Sequence, residues 1–430
     1  MPIPDLLIRE LHKYLEMHPP NFKYQIVYFY YTIHYLTTAS LQNKNKFIPI
    51  NSKYLQSVTV WNIGRYIQIL KNGEFIISDD HYIPGEKSLH YKVNPEYLIG
   101  TTFYYEVKPD SRMFKKIIKR KRNSKAHDNR LEPFLKRMKK FFMEIDFDYV
   151  RANKWIDNKA DEGNKHSYRT ALYMLQDKRF RYFKRNKTNS RLDTNLTSLK
   201  TDLRQFIIGD LVSIDLKNSQ PFFLSQFLVN LTHMDKQQPK VTLCYRLGTL
   251  NPSGFFGMTT LSALSKIHQK CKKAKMVNLN QFEKSTLEGT FYDDFINQFP
   301  GKISRQKAKD MMFEILFSQN VIHRNFKAFI PYKKEKEIFK SVYPFVYKAV
   351  HILKEKDHAK LAIFLQRFES SIFIDSLAKD LVNEGIVPLT IHDSVLVESK
   401  HQDKAMKIIR NIFLENFGVV PSFHIKPLKK

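Results

Sequence analysis

Cysteine is nearly missing: Cys244 and Cys271 are the only two in 430 residues. They stand in no metal-ligand spacing, which argues against a disulfide framework and against a thiolate zinc site. Long apolar runs are missing too. No stretch reaches the roughly 18 uncharged apolar residues that a membrane-spanning helix needs. The opening MPIPDLLIRELHKYLEMHPP carries charges through its apolar positions, unlike an export signal. A reducing, cytoplasmic setting without membrane association is expected. No internal repeat or low-complexity tract of useful length interrupts the chain.

Acidic residues are the third shortage. Only 42 Asp and Glu face 71 Lys and Arg, a net charge of +29 that points to a polyanionic partner. Nucleic acid fits better than a membrane, because the bases are spread along the chain among 22 Tyr and 34 Phe instead of forming one juxtamembrane cluster. A basic surface serving only solubility is the plainer alternative. With 43% hydrophobic residues, the chain has material for two or three domains, each with its own core.

Residues 1–105 read as a self-contained module. Helical patterns at 4–17 and 23–40 come first. Asn51 or Ser52 then caps a short helix ending near Val58, and Trp61, Ile63, Ile67 and Leu70 space out a second helix stopped by Asn72-Gly73. EFIIS and LHYKV alternate around DDHYIPGEK, a hairpin with Pro-Gly at its tip. This order resembles a winged-helix module, whose second helix would enter a DNA major groove while the hairpin touches backbone. A small α+β domain that contacts protein would show the same order. The basic segment 106–130 reads as a linker or solvated arm. Helical periodicity returns over 131–210, and the remainder alternates buried strand-like runs with long helices, an α+β body.

Two carboxylates follow strand-like runs in that body. IIGDLVSIDLKNSQPFFL puts Asp215 at the carboxyl end of a strand, Leu211 to Leu216, ahead of a helix that begins near Ser219 with Pro221 in its first turn. LTIHDSVLVES reads as a strand pair in which Leu389, Ile391, Val395 and Val397 pack beneath and His392-Asp393 forms the tight connection. Two aspartates brought together raise each other's pKa, and a divalent cation removes that cost. Mg²⁺ takes one or two carboxylates plus substrate phosphate oxygens, and paired ions serve in-line phosphoryl chemistry. Taken singly, Asp215 reads as a helix cap and Asp393 as a turn former.

Between the two, ISRQKAKDMMFEILFSQN spaces Arg305, Lys309, Phe313 and Phe317 by four. Each step of four advances about 40° on a helix, so the four form one slanting stripe. Two cations and two aromatics on one stripe suit a nucleotide: cations for the triphosphate, Phe313 for the sugar, Phe317 for the base. For the helix alone, buried phenylalanines with Arg305 and Lys309 reaching out to water is the simpler reading.

The order strand-Asp, helix R-x-x-x-K-x-x-x-F-x-x-x-F, strand-His-Asp resembles motifs A, B and C of the family A DNA polymerases and single-subunit phage-type RNA polymerases, over roughly residues 165–430. The resemblance implies a right-hand architecture. Residues 131–210 become a reduced, thumb-like helical region leading into the palm, and 211–430 a palm with a fingers insertion at about 230–345. It implies two Mg²⁺ ions, or Mn²⁺, on Asp215, Asp393 and the Leu216 carbonyl. Arg305 and Lys309 would hold the triphosphate, with Lys309 also the general acid to pyrophosphate. Phe313 would pack on the sugar, and Phe317 would lie beneath the nascent pair. TNSRLDT would bring Arg191 to the primer terminus, the helix containing LAIFLQRFESS would bring Gln366 to the minor groove, and His392 would meet the primer backbone.

The departures fall on sugar choice. Gln220 stands where the DNA polymerases have a glutamate that excludes a 2′-hydroxyl. Ser394 completes His-Asp-Ser, as in the RNA polymerases, while Phe317 lacks the tyrosine hydroxyl with which those enzymes sense ribose. Glu314 stands in place of a glycine. A bulky Gln220 and a hydroxyl-free Phe317 favour deoxynucleotides. No room remains for a 3′–5′ exonuclease domain, and no Asp-x-Glu pair in strand context suggests one. Three readings stay open: a DNA polymerase of a phage or mobile element, recruited to DNA by its amino-terminal module; a single-subunit RNA polymerase; and a DNA-binding initiator or regulator with a non-catalytic body. The partners expected are DNA and nucleoside triphosphates.

Overall fold

The computed structural model describes residues 1–40, 47–50, 52–80, 88–117, 131–233, 250–273, 278–299, 303–324 and 327–429. These group into two compact units, one division between which falls at Gly209 and Asp210. The first comprises Met1–Phe183 and Thr194–Gly209; the second comprises Lys184–Asp193 and Asp210–Leu428.

In the first unit, the helix Asp5–Met17 buries Leu7, Leu11 and Leu15, one stripe at four-residue spacing. The helix Ile63–Asn72 buries Ile63, Tyr66, Ile67 and Leu70, so its Arg65 and Gln68 face outward. Trp61 does not belong to that helix as its spacing suggested. It lies in the preceding turn, 77% exposed, because Asn62 takes the N-cap. The strands Ile48–Pro49, Ile76–Ser78 and His90–Val93 form an antiparallel sheet with His90–Val93 in the middle. Residue 51 and most of the hairpin tip, residues 81–87, lie outside the described residues.

The basic segment is not wholly a solvated arm. Residues 112–117 are helical, and Met113 is buried in the first unit's core with Ile117 packed against it. Lys116 Nζ donates to the Thr59 carbonyl at 2.7 Å, tying the segment to the turn between the two short helices. Composition registers the lysines there, whereas two apolar residues four apart supply the anchor. Residues 118–130 lie outside the described residues. The helices Pro133–Glu144, Tyr149–Lys159 and Glu162–Gln176 group with this same unit.

The second unit is built on an antiparallel sheet of four strands, in the order Leu389–Ile391, Ser394–Glu398, Leu211–Leu216, Phe423–Pro427. Ser394 pairs with Asp215, and Asp215 with His424 on its other side. Directly opposed residues share a face. Leu389 and Ile391 therefore lie on the face of Ser394 and Asp215, while Val395 and Val397 lie with Ile214 and Val212 on the other. This corrects the expectation that those four pack together beneath the connection: the sheet buries apolar residues on both faces, so alternation alone could not sort them. The second face receives the helix Gln402–Phe417, whose Phe413 ring sits 5.3 Å from that of Phe423. The helix Ser219–His233 adds Phe222 and Phe223 to an aromatic cluster with Phe368 and Phe417. The fold is α+β, with helices packed on a small antiparallel sheet.

Candidate active site

The strand Leu211–Leu216 is buried except at Asp215, which stays half-buried near its carboxyl end. Next to it, Ile391 and Ser394 close a two-residue connection made of His392 and Asp393. His392 has φ 56°, and it alone of the two is positive. That pattern normally takes glycine at the first position, and a non-glycine residue there stores strain of order 1–3 kcal/mol. The Leu216 N–H donates to the Asp393 carbonyl at 3.1 Å, pinning the connection to the strand that carries Asp215. The two expected carboxylates are thus neighbours. Burial holds the Asp393 carboxyl well above the usual carboxylate range, the negative charges of Glu369 and Asp215 add to the effect, and Arg191 opposes it. Two crowded carboxylates are a donor set that a hard divalent cation fits. Among the described residues, no group of three or more His, Cys, Asp or Glu is arranged to hold a metal.

Glu369 was not anticipated. It lies on the helix His358–Ile372, is 1% exposed, and accepts four hydrogen bonds. Arg191 donates Nε and Nη2 to Oε1 at 2.9 and 2.6 Å. Ser219 Oγ and Gln220 Nε2 donate to Oε2 at 2.8 and 2.6 Å. The guanidinium expected at a primer terminus is therefore engaged by Glu369. Gln366, one turn earlier on that helix, accepts from Asn189 Nδ2 at 3.0 Å, so both expected primer contacts lie where the 186–191 loop meets the helix. Gln220 is 8% exposed, and its Oε1 has no partner among the described residues. Asn218, 7% exposed at φ 57°, leaves both amide atoms unpartnered there. One signal in the sequence could have flagged Glu369: it is a lone carboxylate in the otherwise uncharged stretch from Phe368 to Ile374.

The helix Arg305–Phe317 starts at Ser304, whose side chain accepts from the Lys307 N–H. It buries Ala308, Met311, Met312, Ile315 and Leu316. That choice turns the expected stripe outward: Arg305 and Lys309 are exposed, Phe313 is 47% exposed and Phe317 is half-buried. The two phenylalanine rings lie 5.6 Å apart, so the reading that places them in the core does not hold for Phe313. Arg305 pairs with Asp293 at 3.1 Å, and Lys309 sits 5.8 Å from the ring centre of Tyr292. The Arg305 pair is about half exposed on both sides, and such pairs contribute at most about 1 kcal/mol, so a polyanion can displace it. Tyr292 is buried; burial raises its hydroxyl pKa, the Asp393 charge raises it further and Arg305 lowers it, so this ring lies within electrostatic reach of both the carboxylate pair and the cationic stripe.

The far end of the stripe helix is fastened by cations. Lys354 Nζ donates to the carbonyls of Ile315 and Ser318 at 2.7 and 2.8 Å, and Lys336 Nζ to that of Gln319 at 2.8 Å. Burial pulls the Lys354 amine down to about 7. Glu314 is half-buried, and burial raises its carboxyl pKa.

No family model matches the chain, and no curated protein matches it. Among solved structures it is similar to the POL domain of Pol1 from M. smegmatis in complex with DNA primer-template and dNTP, at 11% identity and a TM-score of 0.26. That match covers 65% of this chain and 55% of the other, so the chain spans about half the length of that structure. A likeness of that size carries no weight for activity. Among the described residues, no helix is long and apolar enough to cross a membrane.

Proposed function

We propose that the chain is a metal-dependent, template-directed nucleotidyltransferase, and specifically a DNA polymerase that adds deoxynucleotides to a primer 3′ end. The observation that carries this reading is the register that sets Ser394 opposite Asp215, and with it Asp393 beside Asp215 at the end of one sheet. Asp215 and Asp393, with the Leu216 carbonyl, would hold Mg²⁺ or Mn²⁺, which supplies charge neutralisation at the phosphates and an activated 3′-oxygen. Arg305 and Lys309, exposed on the helix, would take the triphosphate, and Lys309 would give a proton to departing pyrophosphate. Phe313 offers a ring face to the sugar and Phe317 to the nascent pair. Arg191 and Gln366 shape the primer side from the 186–191 loop and its helix, and His392 meets the primer backbone.

In the first unit, two short helices followed by a hairpin, with a strand from before the helices on the sheet's free edge, support a winged-helix reading with duplex DNA as its partner. Trp61, Arg65 and Gln68 are among its exposed residues. One observation favours RNA synthesis as a second reading: Gln220 spends its amide N–H on Glu369 and keeps an unpaired acceptor, which a ribose hydroxyl could satisfy.

A labelled-nucleotide extension assay over several templates, with and without primer, tests the proposal when dNTPs and rNTPs are supplied separately. Incorporation that is lost in D215A and D393A while DNA binding persists is the expected result. Incorporation of rNTPs alone selects the second reading. No incorporation by the wild type on any template with Mg²⁺ or Mn²⁺ leaves only a DNA-binding role.

A further inference from the structure

We propose that Glu369 is a positioning residue that sets sugar discrimination by fixing Gln220; this rests on the polymerase reading of the same site. A carboxylate 1% exposed must have its oxygens satisfied, and here each takes two donors. Because a carboxylate only accepts, the Gln220 amide has one orientation available: nitrogen toward Glu369, oxygen away from it. Rotation about the last bond would set two oxygens against each other at the 2.6 Å now spanned by a hydrogen bond. Ser219, the residue before, donates to the same oxygen and clamps the first helical turn. Arg191 neutralises the carboxylate from the opposite side.

The same geometry explains why residue 220 is not a glutamate. A carboxylate at 220 would face the buried Glu369 carboxylate at hydrogen-bonding distance, and two such groups cannot both ionise cheaply. Glutamine at 220 and glutamate at 369 are therefore a matched pair, and the bulk beside the sugar is held in place by a charge from another helix.

The test is a double-mutant cycle read as the ratio of kcat/KM for dNTP to that for rNTP, with melting temperatures to confirm folding. Glu369→Gln and Gln220→Ala should each move the ratio by on the order of tenfold, the worth of a hydrogen bond to a charged group. Glu369→Gln should add nothing once residue 220 is alanine. Binding of non-incorporable dNTP and rNTP analogues should shift in parallel. If E369Q proves unstable, the exchange Q220E/E369Q, which rebuilds the pair with roles reversed, carries the test. Recovery of the wild-type ratio relative to Q220E supports the role of Glu369. A Glu369→Gln variant that slows both sugars equally, or an exchange variant no better than Q220E, overturns it. A wild type that incorporates neither sugar overturns the polymerase reading itself.

Discussion

Replacing Arg191 with methionine breaks the ion pair beneath the site, because methionine keeps most of the apolar stem and removes the guanidinium charge together with its two N–H donors to Glu369. Glu369 is 1% exposed and the Arg191 side chain 19%, so the pair is largely desolvated. Breaking such a pair by removing one partner typically costs about 3–5 kcal/mol, since the remaining charge is left without compensation. Ser219 and Gln220 still donate to the other oxygen, and Arg191 keeps one edge in water, which places the cost near the lower end, about 3 kcal/mol. At roughly 2–4 °C per kcal/mol for a unit of this size, the midpoint should fall by about 6–12 °C. The double variant R191M/E369M removes both charges and should recover part of that loss. It stays about 1–2 kcal/mol below wild type, because the Ser219 and Gln220 donors lose their acceptor. Circular dichroism melts of the four proteins decide the matter. R191M within about 0.5 kcal/mol of wild type, or a double variant whose loss equals the sum of the singles, refutes the reasoning.

Three further outcomes follow from burial and charge. In the first unit, burial pulls His34 and His166 down to about 3, and nearby positive charge adds to the effect. Unfolded histidine titrates near 6.5, so their contribution is complete above that pH and is lost as pH falls toward 3. At pH 5 the loss is about 2 kcal/mol per histidine, and urea midpoints that do not move between pH 7 and 5 would contradict it. Asp393→Asn should end incorporation yet make the metal-free protein more stable, because it removes a carboxylate raised by burial, Glu369 and Asp215. A raised carboxylate destabilises increasingly as pH climbs above its unfolded value near 3.9, so the gain over wild type should widen from pH 4 to 7; a constant difference argues against crowding. Phe313→Ala should change stability by less than about 0.5 kcal/mol, since the ring is 47% exposed, while raising KM for nucleotide on the order of tenfold. A melt lowered by many degrees would place that ring in the core instead.

What the sequence disclosed and what it withheld divides along the range of the interaction. The carboxylate-bearing connections were readable because they are local: apolar runs ending in Asp215 and His392-Asp393 show a strand end and a tight turn without knowledge of any partner. The exposed stripe was half readable. Arg305, Lys309, Phe313 and Phe317 fall at one spacing and Ala308, Met311, Met312, Ile315 and Leu316 at another, and only packing decides which side is core. Trp61 was misassigned because apolar spacing runs on through a turn, whereas the N-cap at Asn62 is a backbone matter. Glu369 was invisible in its function because its partners are 149 to 178 residues away along the chain. A charge in an apolar helix announces a cost, but only the folded chain shows which donors meet it. The departure at Gln220 looked like lost charge when position 220 was considered alone. With Glu369 in place, the Gln220 amide is bonded to a carboxylate on a neighbouring helix, so under the proposed reading discrimination would belong to the pair, and single substitutions at either position should be read as perturbations of both.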